Sequence, residues 1–232
     1  MGASTKIIDL RNLLGAHFPH PSLAAATRLV TRLPLLDKPI GGGLPRNAIT
    51  ELISPQTSAG SALLIRALIQ SACHDNYFLA LIDGHDSFDP CGLDNPSLQH
   101  LLWLRCSKTY ETIKAADLLL RDGNFPLVIV DLVLNATEEL RKIPQTNWYR
   151  LQRLVEMIPT ACLVLTRYDM VASAQLRVVL ENYWSLESLE QDALSGMRIV
   201  VKRSHLSGVT GGETALQSPD GAARCPYLFG AH

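Results

Sequence analysis

The fold is indicated most clearly by residues 41–61, which read GGGLPRNAITELISPQTSAGS. A run of glycines forms a turn, a short run of strand composition follows, and a loop of small residues leads into a stretch with helical spacing. A strand, a small-residue loop and a helix N-terminus in this order are the setting in which phosphate-binding loops occur. The stretch therefore predicts an α/β domain with a candidate site between Ser54 and Ser61.

Strands and helices alternate along the central part of the chain. Apolar runs of strand length, typical of buried parallel strands, lie at residues 48–53, 77–82, 100–104, 127–130 and 161–165. Amphipathic stretches that predict helices lie at residues 61–74, 110–121 and 146–158. The repeated strand–helix–strand order predicts a mainly parallel sheet between layers of helices.

The two ends of the chain differ in character from this core. Helices are predicted at residues 7–14, 23–32 and 171–181. A hairpin that closes an edge of the sheet is predicted at residues 184–190 and 197–203, on either side of a Ser-Gly pair.

These patterns divide the chain into three parts. Residues 1–35 are predicted to be an N-terminal helical segment, and residues 36–203 the core. Residues 204–232 are rich in Gly, Ser, Pro and Ala without apolar periodicity, which predicts a flexible tail.

The composition excludes several classes of protein. Of the 232 residues, 47% are hydrophobic and 19% charged, so a buried core is expected. The 21 Lys and Arg residues nearly balance the 22 Asp and Glu residues, and a net charge of -1 provides no field that favours nucleic acid or anionic membrane. The 5 cysteines form no C-x-x-C pair, so neither a metal site nor a disulfide framework is expected. The apolar runs are too short to span a bilayer.

The candidate loop has the length of a phosphate-binding loop but lacks its chemistry. The motif requires G-x-x-x-x-G-K-[ST]. In that register the defining positions are occupied by Ser54, Ala59, Gly60 and Ser61, with Pro55, Gln56, Thr57 and Ser58 between them. The missing lysine is the group that neutralises the β- and γ-phosphates, so we expect no tightly bound ATP and no cofactor.

Acidic residues end two of the predicted strands. Asp83 follows one apolar run, with His85 and Asp86 just beyond it, and Asp131 ends the run at 127–130. An apolar strand ending in Asp has the form of a Walker B strand. The alternative for Asp131 is a structural role, since an Asp at this position also caps neighbouring turns.

Taken in order, these pieces resemble the RecA/RadA superfamily, and most closely its ImuA branch of SulA-related translesion-synthesis proteins. The matching pieces are Leu36-Asp37 with residues 41–45, Thr50-Glu51-Leu52, residues 54–61, Ile82-Asp83 with Asp89-Pro90, Val130-Asp131 and residues 198–202. The resemblance implies a RecA-like P-loop NTPase fold with a degenerate Walker A motif. It covers residues 33–203.

The resemblance also identifies two further altered positions. The glutamate that polarises the attacking water in RecA-like proteins corresponds to His85, and the polar pair after the fourth core strand corresponds to Thr166-Arg167. Asp131 remains at the Walker B position. Because the lysine, the glutamate and the polar pair are all changed, we expect a pseudo-ATPase that does not hydrolyse ATP.

Contacts with DNA are predicted to be weak. The segments that correspond to the DNA-binding loops of recombinases are short or mixed in charge. The candidates for DNA or partner contact are basic: Arg141, Lys142, Arg150, Arg153 and Arg167. The alternative, favoured by the net charge, is a solvated helix face with mixed ion pairs.

The predicted function is that of an accessory adaptor in damage-induced translesion synthesis in the bacterial cytoplasm, associated with the nucleoid. The resemblance implies an ImuB-like Y-family protein and RecA as partners, with an error-prone polymerase contacted indirectly. Two alternatives stay open: a SulA-like inhibitor of cell division that binds FtsZ, and an active DNA-dependent ATPase or recombination mediator.

Overall fold

The computed structural model describes residues 27–56, 59–182, 194 and 197–205. The strands of this part are β1 (Arg28–Leu29), β2 (Leu44–Pro45), β3 (Ala48–Ile53), β4 (Leu79–Asp83), β5 (Leu101–Arg105), β6 (Leu127–Asp131), β7 (Ala161–Thr166), β8 (Leu176–Asn182) and β9 (Met197–Ser204). The helices are α1 (Pro34–Asp37), α2 (Ser61–His74), α3 (Asn95–Gln99), α4 (Thr109–Asp122), α5 (Thr137–Arg141) and α6 (Gln145–Glu156).

A seven-stranded sheet in the order β5-β4-β6-β7-β3-β8-β9 organises the domain. Every neighbouring pair from β5 to β8 is parallel, and β9 joins β8 antiparallel at the edge. A separate two-stranded sheet pairs β1 with β2. The parallel α/β architecture predicted from the sequence is therefore confirmed.

Apolar side chains fill both faces of the sheet, because successive strand residues point to opposite sides. One core contains Leu81 and Ile129 together with Leu64 and Leu68 of α2. The other contains Ile82 together with residues of α4 and α6, which include Ile113, Leu120, Trp148 and Leu151. Burial on both faces explains why the central strands have continuous apolar sequences.

Two of the predicted helices are wrong in the described residues. The segment predicted as a helix at residues 171–181 contains β8, which pairs with β3 and β9. Val171, Ala174 and Val178 fit helical spacing, but Leu176, Val178 and Leu180 also alternate as a strand does, and backbone pairing on both sides favours the strand. The helix predicted at residues 23–32 is likewise wrong at β1.

Parts of the remaining predictions lie outside the described residues. These are the helix at residues 7–14, the first strand of the predicted hairpin at residues 184–190, and nearly all of the tail. The second strand of that hairpin corresponds to β9, whose partner is β8. In the described part of the chain, none of the helices is long and apolar enough to cross a membrane.

Candidate functional site

The candidate site lies where the carboxyl ends of neighbouring parallel strands meet, the usual position of ligand sites in such sheets. Asp83 at the end of β4 is in register with Asp131 at the end of β6. A cavity of about 390 Å³ opens at this edge. Its lining comes from the start of α2, the loop after β4 and the segment after β6: Gly60, Ser61, Ala62, Leu63, Ile65, Ser87, Phe88, Asp131, Val133 and Leu134.

The loop between β3 and α2 forms one wall of this cavity. Ser54 is fully buried, and its backbone N–H donates to the carbonyl of Thr166 at 2.7 Å. Gly60 precedes α2 with a φ of 102°, in the left-handed region. Gly60 holds the position at which a phosphate-binding loop has its lysine, and any side chain there would be strained. The conformation at Gly60 therefore disfavours a lysine at this position.

Only some of the predicted loop residues line the cavity. Gly60 and Ser61 line the cavity, and Ala59 is buried outside the lining. Pro55 and Gln56 are exposed, while Thr57 and Ser58 lie outside the described residues.

Asp83 shapes the second wall of the cavity. Its side chain is 1% exposed and accepts hydrogen bonds from the backbone N–H of Phe88 at 2.7 Å and of His85 at 3.2 Å. The hydroxyl of Ser87 donates to the same carboxylate at 3.4 Å. These bonds fold the loop after β4 so that Ser87 and Phe88 border the cavity. Asp83 therefore shapes the cavity indirectly, by fixing the loop after β4.

Asp131 is the charged residue among those that line the cavity. One of its oxygens accepts a hydrogen bond from the N–H of Val133 at 3.0 Å. Burial, and to a lesser extent the negative charge of Asp83, raises the pKa of Asp131 to about 6, against the lowering effect of the hydrogen bond from Val133. A carboxylate that is costly to ionise therefore faces the cavity.

His85 and Thr166 are not brought to the cavity with Asp131. The side chain of His85 is exposed, and it is absent from the lining. Thr166 is fully buried, and its hydroxyl donates to Glu51 at 3.3 Å. The side chain at the position of the recombinase polar pair thus belongs to an internal network.

That internal network centres on Glu51 of β3, which is fully buried. Glu51 accepts from the N–H groups of Met170 at 2.8 Å and Val171 at 3.0 Å, and forms an ion pair with Arg177 at 2.6 Å. The network joins β3 to β8 and to the segment after β7. It fixes the carboxyl edge of the sheet next to the candidate site.

Gly84 is required by the close approach of β4 and β6 beneath the cavity. A Cβ atom at this position would lie 2.5 Å from Oδ1 of Asn135 and 2.6 Å from the carbonyl oxygen of Asp131. We expect Gly84→Ala to lower the free energy of unfolding by about 2 kcal/mol, as over-packing of a buried site does. Urea unfolding followed by circular dichroism measures this effect. An unchanged unfolding midpoint would show that the two strands separate without cost.

The basic residues predicted to contact DNA or a partner are all exposed: Arg141, Lys142, Arg150, Arg153 and Arg167. Arg150 forms an ion pair with Asp117 at 2.8 Å, which matches the alternative of a mixed-charge helix face for that residue. Contact of these residues with DNA or a partner stays a prediction.

The sequence did not single out the apolar part of the cavity. Phe88, Val133 and Leu134 lie in loops whose course is set by hydrogen bonds to Asp83 and Asp131. An Asp at the end of a strand, followed by residues of a tight loop, is the signal that would have identified these walls.

Known proteins share part of this sequence. No family model matches the chain. Protein RecA of Clavibacter michiganensis subsp. michiganensis is 33% identical over 104 residues, which cover 42% of this chain and 28% of that protein. Protein RecA of Borrelia turicatae is 32% identical over 108 residues, covering 45% and 30%. Protein RecA of Xanthomonas euvesicatoria is 30% identical over 107 residues, covering 44% and 30%.

The matches extend over less than a third of the length of these relatives. They agree with the mainly parallel sheet. The chain is RecA-like in its fold and, over less than half of its length, in its sequence.

Proposed function

We propose that the chain is an ImuA-like adaptor of damage-induced translesion DNA synthesis, with a RecA-like fold that no longer hydrolyses ATP. The observation that carries this proposal is the lining of the cavity. Gly60 occupies the lysine position of the nucleotide-binding motif, and the described residues that line the cavity include no Lys, Arg or His.

Electrostatics argue against a bound triphosphate in this cavity. Two unit charges about 4 Å apart interact by about 4 kcal/mol at an effective dielectric constant of about 20, so loss of the lysine removes a large attraction. The charged side chain that remains in the lining is the carboxylate of Asp131, with Asp83 beneath it. The basic residue Arg66 of α2 is not among the lining residues, and its guanidinium packs against Gly92.

A protein partner is a better candidate than a nucleotide for binding at this cavity. The cavity has apolar walls, and Leu134 in its lining is 46% exposed. The resemblance to the ImuA branch suggests an ImuB-like Y-family protein and RecA as partners, with an error-prone polymerase reached through them. Positioning such proteins at damaged DNA requires binding surfaces but no turnover of ATP.

The proposal is tested by measuring turnover and partner binding on the same preparation. We expect no ATP hydrolysis above background with or without single-stranded DNA, where RecA in parallel hydrolyses ATP, and capture of ImuB or RecA by the immobilised chain. DNA-stimulated hydrolysis that Asp131→Ala abolishes would replace the proposal with an active ATPase. Failure to capture either partner, with filamentous cells on overexpression, would favour the FtsZ-binding alternative.

A further inference from the structure

We propose that the cavity at the carboxyl edge of the sheet binds an arginine side chain of a partner protein, with Asp131 as its counter-ion. The inference rests on the proposed adaptor function and specifies the chemistry of one contact. It follows from the charge, the shape and the walls of the cavity.

The charges in the cavity are not balanced. Within the described part of the chain, Asp131 accepts one hydrogen bond, from the N–H of Val133, and no basic side chain in the lining pairs with it. Both oxygens of Asp83 already accept hydrogen bonds from the loop after β4, so its charge adds to the negative potential beneath Asp131. A cation from outside the described chain would offset the cost of keeping this carboxylate ionised.

The walls of the cavity are mainly apolar. Leu63, Ile65, Val133 and Leu134 provide apolar surface, and Phe88 provides an aromatic ring. The ring of Phe88 is held in an edge-to-face contact with Trp103, with the ring centroids 5.4 Å apart. A long apolar stem that ends in a planar cation matches such a site, because the stem packs on the walls while the guanidinium pairs with the carboxylate.

Arginine fits this chemistry better than lysine or a free metal ion. A guanidinium is weakly hydrated, stacks on aromatic rings and donates two parallel hydrogen bonds to one carboxylate. Metal ions prefer several oxygen or nitrogen ligands. In the part of the chain that the structure describes, no group of three His, Cys, Asp or Glu side chains is placed to bind one. The volume of about 390 Å³ leaves room for residues adjacent to the arginine.

The first test uses a small probe on the full chain. We would titrate N-acetyl-arginine methylamide into the isotope-labelled protein and follow backbone amide resonances, with the citrulline analogue as a neutral probe of the same shape. Saturable shifts are expected at Ser61, Ala62, Val133 and Leu134. Asp131→Asn, and equally the citrulline probe, should weaken binding about tenfold or more, the loss of one charge-assisted hydrogen bond.

The matched control is Asp86→Asn, which removes an exposed carboxylate outside the cavity that is paired with Arg105. This variant should bind the arginine probe as the unchanged protein does. Equal binding of the arginine and citrulline probes would overturn the proposal. So would an absence of saturable shifts in the cavity, or an affinity that Asp131→Asn leaves unaltered.

The second test separates this inference from the adaptor function. Capture of ImuB and RecA is compared for the unchanged chain, Asp131→Asn and Asp86→Asn, and loss of capture with Asp131→Asn alone is expected. Capture that survives Asp131→Asn would contradict the arginine contact while the adaptor function stands. If neither partner is captured by the unchanged chain, the adaptor function fails, and the probe titration still decides whether the cavity binds a guanidinium.

Discussion

Replacing Arg177 with methionine is expected to lower the free energy of unfolding by about 3–5 kcal/mol, since removal of one partner leaves a buried charge unpaired. Glu51 is fully buried, and Arg177 is 13% exposed. The guanidinium also donates to Asp169 at 3.1 Å and to the carbonyl oxygen of Val171 at 3.2 Å. Methionine retains much of the stem of arginine but none of these hydrogen bonds.

Two further variants show whether this loss comes from the buried ion pair. Arg150→Met removes an arginine from a more exposed pair with Asp117, where a loss below about 1 kcal/mol is expected. Combining Arg177→Met with Glu51→Gln removes the unpaired charge and should recover part of the stability. Urea unfolding of the four proteins measures these effects. Equal losses for Arg177→Met and Arg150→Met would contradict the role assigned to the network.

Asp131→Asn is expected to stabilise the protein at neutral and alkaline pH. Burial raises the pKa of Asp131 from 3.8 to about 6, so the folded state favours the protonated carboxyl more than the unfolded state does. The resulting stability is fully present below about pH 4 and is lost as the pH rises through about 6. Asparagine keeps the acceptor for the N–H of Val133 but carries no charge. The gain at pH 8 has an upper limit of about 3 kcal/mol.

Thermal unfolding at pH 4 and pH 8 tests this expectation. The melting temperatures of Asp131→Asn and the unchanged protein should be close at pH 4 and should diverge at pH 8, with the variant higher. Asp86→Asn is the control, because the hydrogen bond from Arg105 lowers the pKa of Asp86. The change in melting temperature at pH 8 should therefore have the opposite sign to that of Asp131→Asn. A variant of Asp131 that is less stable than the unchanged protein at pH 8 would contradict the environment assigned to that carboxyl.

A destabilising carboxylate at a cavity is typical of a functional site, where stability is given up for binding. A partner's guanidinium would offset the cost of ionising Asp131. The stability measurement and the proposed arginine contact therefore depend on the same carboxylate. The two experiments therefore examine the same residue by independent readouts.

The sequence predicted the central elements well because their patterns are strong. The bounds of β3 and α2 agree with the predicted strand at residues 48–53 and helix at 61–74. Burial on both faces makes the strand apolar throughout, and one buried face gives the helix its period. Gly60 marks the start of α2, which explains why this boundary could be placed to the residue.

The C-terminal part of the sheet could not be predicted in the same way. Residues 171–181 contain apolar residues at spacings that suit either a helix or a strand. The choice between helix and strand depends on hydrogen bonds from β8 to β3 and to β9. β3 lies far from β8 in sequence, and β9 follows it. Pairing with these two strands therefore determines that the segment is a strand, which its local sequence alone does not.

The candidate site was predictable in position but not in composition. Asp131 was identified because it ends an apolar strand, and it does lie at the cavity. Phe88 and Leu134 were missed because loop backbones carry them there, and the signal for those loops is the Asp that ends the strand before each of them. Thr166 was predicted to belong to the site because it corresponds to the recombinase polar pair. Its hydroxyl instead donates a hydrogen bond to the buried Glu51 and is part of the internal network.

Isothermal titration of the purified chain with ATP and Mg²⁺ measures whether the cavity has lost the ability to bind a nucleotide. RecA serves as the positive control under the same buffer conditions. We expect no saturable heat of binding for the unchanged chain, since Gly60 replaces the phosphate-binding lysine and Asp131 leaves the cavity negative. Saturable binding of ATP with a dissociation constant of about 1 μM, a free energy of about -8 kcal/mol, would show that the cavity still binds a nucleotide and would contradict the loss of nucleotide binding.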